Sequence, residues 1–341
     1  MSGEKTNHME ARVSVAMCTY NGEAHLAEQL QSILQQSTAV QEVVICDDCS
    51  GDGTYALLQA YSRQYPGLIR LHRNPSRIGY ARNFDQAISL CQGEVIFLSD
   101  QDDVWLPRKV EKTIEFLAAN PQCGLVSVSA LVTNEHLQPI GKRLTLPTSG
   151  ALFAGEGAFV ARLRRSLAYG CTLALRASLK PALLPIPACW THDNWICFIA
   201  ALFTEVRGID EPLMLYRRHA GSAGQHELLD FGVLGQSVAF WKRAKHQDYE
   251  ADFVKWDAAR HYLEHLLETS GNGDLSPLAR QRHSQILTAA GARAEFSAKR
   301  LQMASRARFA RMSPALGILL SGQYGEFASG WRSFVRDLIT A

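Results

Sequence analysis

Three short polar runs in the first third of the chain have the residue types for chemistry: Thr19-Tyr20-Asn21, Asp47-Asp48 and Asp100-Gln101-Asp102-Asp103. One aspartate after an apolar run is ordinarily a turn former or a helix cap. Three such groups, each ending an apolar run, ask for another explanation. Crowded carboxylates repel one another and hold their protons unless a cation compensates, so Asp100, Asp102 and Asp103 point to a divalent ion with oxygen ligands, Mg²⁺ or Mn²⁺.

The runs before these groups are Val13 to Met17, Glu42 to Cys46 and Glu94 to Leu98; with Leu68 to His72 they are short and rich in Val, Ile and Leu. They predict buried strands. Between the first two, Ala24 to Gln36 sets Leu26, Leu30, Ile33 and Leu34 at helical spacing, and Thr54 to Tyr65 and Tyr80 to Cys91 give two further helices. The order β-α-β-α-β-α-β predicts an α/β fold with a mostly parallel sheet covered on both faces and ligands bound beyond the carboxyl ends of its strands. The three polar groups lie there. Downstream, the pattern predicts a helix from Arg108 to Ala119, a strand from Gly124 to Leu131, a polar stretch from Asn134 to Gly157, and strands at Cys171 to Arg176 and Pro212 to Arg217. After Leu228, Gly and Pro thin out, and helices are expected at Leu229 to Lys245, Ala251 to Leu267 and Pro277 to Met303, with a turn at Ser270 to Asp274.

At about 150 residues per domain, 341 residues make roughly two domains, and 47% hydrophobic with 20% charged residues excludes disordered and fibrous classes. The net charge of +2 argues for neither a nucleic-acid binder nor an acidic solvating protein. Its distribution is uneven: Arg280 to Ala341 has ten Lys/Arg against three Asp/Glu, a local +7 that leaves −5 on the preceding residues. The eight cysteines sit in apolar or strand-like runs and read as buried thiols. With a polar Met1 to Glu10 lacking an apolar signal core, they predict a reducing cytoplasm. The longest apolar stretches, such as Leu316 to Leu320, fall far short of the ~20 residues that cross a bilayer.

Taken in order, Val13 to Gly22, Val44 to Thr54, Asn74 to Asn83, Gly93 to Trp105, His192-Asp193-Asn194-Trp195 and Tyr216-Arg217-Arg218-His219 resemble the inverting glycosyltransferases of family 2, which have the nucleotide-sugar-binding GT-A fold. The resemblance covers about Val13 to Gly221. The form Ser99-Asp100-Gln101-Asp102-Asp103-Val104-Trp105 is similar to a subgroup assigned to rhamnosyl or related transfer onto bacterial surface polysaccharides. The resemblance implies a catalytic domain over 11–225, with a nucleotide-sugar half at about 11–105 and an acceptor half at about 106–225; the periodicity and charge beyond it predict a helical, basic C-terminal region at 226–341. It places Thr19, Tyr20, Asn21, Glu23, Asp48, Asn83 and Asp100 at the nucleotide sugar, a UDP- or dTDP-sugar. It makes Asp102 the ligand of a Mn²⁺ or Mg²⁺ ion bridging the diphosphate, with His219 completing the metal or phosphate site or serving structure alone. Asp193 matches the family's acid before a helix and is the expected catalytic base, taking the proton of the acceptor hydroxyl; a helix cap is the other reading of it. Many members have Glu-Asp where this chain has His192-Asp193, which leaves the part of His192 open.

The resemblance further implies single-sugar transfer to a glycan or lipid-linked saccharide, since the Gln-x-x-Arg-Trp motif of processive relatives is absent. A nucleotidyltransferase would also use acidic metal ligands, but it calls for a basic Gly-rich signature near the first strand, and Met17 to Glu23 has no Lys or Arg. An inactive glycan- or nucleotide-binding module is the non-enzymatic alternative. Cys46-x-x-Cys49 is a single pair bracketing Asp47-Asp48, His261-Tyr-Leu-Glu-His265 lies in a charged helix, and Gly51-Asp52-Gly53 lacks the third glycine of a dinucleotide fingerprint. The basic tail interleaves Arg280, Arg282, Arg293, Lys299, Arg300, Arg306, Arg308 and Arg311 with Leu301, Met303, Phe309 and Met312. It suits either peripheral contact with an anionic membrane at the inner face of the cell or a packed or oligomeric helical appendage.

Overall fold

The computed structural model describes residues 11–146, 168–221, 246–269, 277–306, 308–327 and 331–339. Two compact units emerge, Met1–Leu152 with Ser166–His219, and Phe153–Arg165 with Ala220–Ala341.

The first unit opens with β1 (Val13–Thr19), α1 (Glu23–Leu34), β2 (Glu42–Asp47), α2 (Thr54–Gln64), β3 (Ile69–Arg73), α3 (Tyr80–Leu90) and β4 (Val95–Ser99). Every residue of β1, β2 and β4 is buried, as strands covered on both faces require. The helices supply the cover: α1 buries Leu26, Leu30 and Ile33, and α3 buries Phe84, Ala87 and Ile88. β3, β2, β1 and β4 lie side by side and parallel, with Thr19 opposite Asp47 and Met17 opposite Ser99. This register brings the polar groups to one edge. The α/β architecture is the one expected.

β5 (Val104–Trp105), α4 (Lys109–Ala119), β6 (Cys123–Thr133), β7 (Pro139–Leu144), β8 (Leu173–Arg176), the short α5 (Lys180–Leu183), α6 (His192–Phe203) and β9 (Glu205–Arg217) complete the unit. Here the sheet becomes mixed. β8 runs antiparallel to both β4 and β6, β9 runs parallel to β6, and β5 and β7 pair antiparallel to β9 and β6. Two elements exceed the expectation. β7 arises inside the polar stretch from Asn134 to Gly157, where no strand was expected, because an edge strand exposed along most of its length lacks the apolar alternation that marks strands. β9 begins at Glu205 rather than Pro212, its first half carrying the charged residues Glu205, Arg207 and Asp210.

The second unit contains α7 (His246–Thr269), α8 (Pro277–Ala304), α9 (Met312–Leu320), α10 (Gln323–Phe327) and α11 (Trp331–Ile339). The first two match the expected helices with slightly longer ends. Phe296, Ile318 and Tyr324 form a buried cluster with Phe334 against it. Beside it Asp337 accepts two hydrogen bonds from Arg300, both at 2.6 Å, and one each from the hydroxyls of Tyr249 and Tyr324, at 2.7 and 2.9 Å. The expected helix Leu229 to Lys245, the turn Ser270 to Asp274 and the end of the polar stretch to Gly157 lie outside the described residues.

Candidate functional site

The end of β1 is fastened to the β2–α2 turn and to the acidic run after β4. Thr19 donates to Asp47 at 3.0 Å, and the same carboxylate accepts from the Ser50 hydroxyl at 2.5 Å and the Ser50 N–H at 3.0 Å. Tyr20 is held by Gln101, whose amide accepts from the Tyr20 N–H at 2.8 Å and donates to its carbonyl at 3.0 Å. Asn21 adopts a left-handed φ of 49°, a conformation asparagine tolerates. Its side chain accepts from the Gly51 N–H at 2.9 Å. Glu23 accepts from the Gly53 N–H at 2.8 Å, and a Cβ at Gly53 would come within 2.2 Å of the Glu23 carboxylate. Gly51-Asp52-Gly53 is thus a docking turn for this loop.

Asp48 and Asn83 form the neighbouring wall and are both buried. Asp48 accepts from the N–H groups of Ile78 and Gly79, at 2.7 and 2.9 Å, and from the Asn74 amide at 3.0 Å. Asn83 accepts from Asn74 at 2.9 Å and donates to the Cys46 carbonyl at 2.7 Å. These contacts fix the 74–79 loop, whose Arg77 guanidinium lies 4.0 Å from the centre of the Tyr20 ring. An aromatic face and a cation therefore border the strand ends.

Beyond β4, Asp102 Oδ2 stands 2.8 Å from His219 Nε2, and the His25 ring is 4.8 Å from that of His219. Arg217 is buried and ties the run together: its N–H donates to Asp103 at 3.0 Å, and its guanidinium donates to the carbonyls of Asp102 and Glu135, at 2.8 and 2.6 Å, and to Glu28 at 2.5 Å. Lys109, fully buried, donates to the Cys171 carbonyl at 2.8 Å and packs 4.0 Å from the Trp105 ring centre. Burial, with Asp102 and Asp193 nearby, pushes Asp100 up to about 7. Burial beside Asp102 and Asp100 raises Asp103 well above the carboxylate range, and burial lowers Lys109 to about 8.

This accumulation of negative charge suits a divalent cation. Asp103 Oδ2 is buried without a hydrogen-bond partner, and ligand atoms of Asp100, Asp103 and Cys171 lie within 4.8 Å of one another. Burial raises the Cys171 thiol well above its usual range, so among the three the carboxylates are the hard oxygen donors that Mg²⁺ or Mn²⁺ prefers. Asp102 and His219 offer an oxygen and an imidazole nitrogen side by side, a donor pair compatible with Mn²⁺.

Asp193 sits in the first turn of α6. The capping position belongs to Thr191, whose side chain makes no cap hydrogen bond, while Asp193 accepts from the N–H of Asn194 at 2.7 Å. Its charge acts on both Asp100 and the phenol of Tyr80, so base candidate and acidic run share one electrostatic environment. His192 is buried, its ring stacked 3.9 Å from that of Phe84, with neither nitrogen hydrogen-bonded. Burial lowers it to about 4. Gly170 makes room, since a Cβ there would lie 2.3 Å from His192 Nε2. Gln101, Lys109 and Arg217 went unassigned in the sequence reading. Lys109 opens an amphipathic helix, where lysine is ordinarily solvated, and only the tertiary structure shows its burial.

Residues 14–169 match the family described as glycosyl transferase family 2. Similar curated proteins include EpsE of Bacillus subtilis, 36% identical over 124 residues, 36% of this chain and 45% of that protein. The dTDP-rhamnosyl transferase RfbG of Shigella flexneri is 35% identical over 108 residues, 30% of this chain and 37% of that protein. The chain thus spans less than half the length of these relatives. Among solved structures, S. aureus TarS 1-349 in complex with UDP-GlcNAc superposes with a TM-score of 0.59 at 16% identity, covering 95% of this chain and 90% of that one. The likeness is one of fold.

Proposed function

We propose that this chain, whose residues 14–169 match glycosyl transferase family 2 and whose fold resembles that of TarS, moves a single sugar from a UDP- or dTDP-sugar to a hydroxyl of a glycan or lipid-linked saccharide, with inversion at the anomeric carbon. The observation that carries the reading is the gathering of Asp100, Asp102, Asp103 and His219 after β4, beside the end of β1, with Asp102 facing His219 at 2.8 Å. In this reading 11–225 is the catalytic domain, with the donor half before about residue 105. Thr19, Tyr20, Asn21 and Glu23 face the nucleotide, and Asp48 and Asn83 hold the loop that closes its side. Asp102 and His219 hold Mn²⁺ or Mg²⁺, which when bound offsets the charge of the departing diphosphate. Asp193 accepts the acceptor's hydroxyl proton as the new C1–O bond forms. The bond from C1 to the diphosphate oxygen breaks with its electron pair leaving on the nucleoside diphosphate. One displacement with one base inverts the centre.

The proposed setting is surface polysaccharide synthesis at the inner face of the cell membrane, with the enzyme cytoplasmic or peripheral; among the described residues no helix is long and apolar enough to cross a membrane. The test is a panel of UDP- and dTDP-sugars with Mn²⁺, with Mg²⁺ and with chelator, read by release of nucleoside diphosphate and by the anomeric configuration of the product. Binding of a sugar nucleotide without turnover under any condition would favour the inactive module. Pyrophosphate release from a nucleoside triphosphate and a sugar phosphate would favour a nucleotidyltransferase.

A further inference from the structure

α9 reads Met-Ser-Pro-Ala-Leu-Gly-Ile-Leu-Leu and contains no charged residue. One side faces inward, with Ala315 buried and Ile318 packed in the cluster of Phe296 and Tyr324. The other side is apolar as well: Met312 is 50% exposed, Leu316 40% and Leu320 85%. Their spacing of four stacks the three side chains along one face. They are half of the six large exposed hydrophobic residues among those described. A helix apolar all round is ordinarily covered on every side.

The surrounding charge indicates what covers this one. The segment from Arg280 carries a net +7, and one of its three acids, Asp337, is buried against Arg300. Exposed Arg306 precedes the helix, which starts directly after Arg311, a buried residue whose guanidinium donates to the carbonyls of Ala304 and Arg306. An apolar stripe inside a strongly basic segment complements a surface that is anionic outside and apolar just beneath. We propose that α9 seats the face of Met312, Leu316 and Leu320 at the headgroup boundary of a bilayer rich in anionic phospholipid, the basic segment supplying the long-range attraction. The inference deepens the peripheral placement proposed above, and rests on it, by naming the surface.

The test uses the full chain and sedimenting vesicles of phosphatidylcholine with increasing phosphatidylglycerol. The parent chain should bind in proportion to phosphatidylglycerol and be released by high salt. The variant Met312→Ser/Leu316→Ser/Leu320→Ser should partition about 10-fold more weakly or worse, at an unchanged rate of nucleotide-sugar hydrolysis in solution. Should the triple variant fail to fold, Leu320→Ser alone, at the most exposed position, should show a smaller loss in the same direction. Equal binding by folded variants would overturn the proposal, as would a parent chain that ignores anionic vesicles at low salt. So would a parent dimer that the variant converts to monomer without any vesicle binding, since a second copy would then be the cover. Hydrolysis is read in the same samples: activity without vesicle binding overturns the docking surface alone, and vesicle binding without activity overturns the transferase reading alone.

Discussion

The side chain of Gln101 closes a two-bond ring on the backbone of Tyr20, so the acidic run after β4 and the polar loop after β1 move as one piece. Gln101→Met keeps the length and removes both bonds. Amide exchange at Tyr20 should accelerate while β1 stays protected. Nucleoside diphosphate affinity should fall about 10-fold, the equivalent of losing roughly 1 kcal/mol or slightly more of loop positioning. Calorimetric titration checks this, and unchanged affinity with faster exchange would separate the ring from binding.

Asp102→Ala removes the carboxylate that faces His219. Transfer should be lost while the circular dichroism spectrum and melting temperature stay near those of the parent chain. Substantial transfer by the folded variant, or by the parent chain in chelator, would remove Asp102 from the metal site.

Asp193→Asn preserves shape and can still accept from the N–H of Asn194. Turnover should fall by about 100-fold or more with donor affinity retained, as expected for the loss of a general base. A parallel collapse of donor affinity would move Asp193 to the donor site.

His192 gives a stability signature in acid. Burial holds it at about 4, below an ordinary histidine value near 6.5. Between these values the unfolded chain binds a proton that the folded chain refuses. The stabilisation is therefore complete above about pH 6.5 and is lost as pH falls toward 4, by an amount of order 3 kcal/mol. His192→Phe keeps a ring stacked on Phe84 but cannot titrate. Urea unfolding of the two proteins should give stability differences that change by about this amount across the window, and parallel pH profiles would contradict the burial.

In the second unit, Arg300→Met would strand the buried Asp337 carboxylate with two tyrosine hydroxyls. Breaking such a pair from one side costs about 3–5 kcal/mol. Chemical unfolding monitored on the helical signal should show it. Arg300→Met/Asp337→Leu should recover part of the loss.

The gathering of the polar groups at one sheet edge was legible from sequence because parallel strands buried on both faces leave an unbroken apolar signature and their ends fall at predictable places. Thr19, Asp48 and Asp100 could thus be assigned to one sheet edge before any coordinates. The residues that brace the site were not legible. Lys109 has the local context of a surface lysine, Gln101 is one polar residue within an acidic run, and Arg217 ends a strand whose first half is charged. Each is defined by a partner distant in sequence: Cys171 for Lys109, Tyr20 for Gln101, and Asp103 for Arg217. The three short helices after residue 311 escaped for a related reason. Their cohesion comes from Phe296, Tyr324 and Asp337, which meet only in the packed unit.

The parallel pairing of β6 with β9, which joins Cys123 to Glu205 at one end and Thr133 to Arg217 at the other, has a kinetic consequence. Parallel pairing across so many intervening residues closes a large loop, and such steps come late and slowly during folding. The first four strands and their crossovers can assemble from near neighbours. Arg217 and His219 reach the acidic run only when β9 docks. In the proposed reading a divalent cation would therefore find its full set of contacts only on the nearly finished domain, where it would slow unfolding but have little purchase on the rate at which the chain first folds.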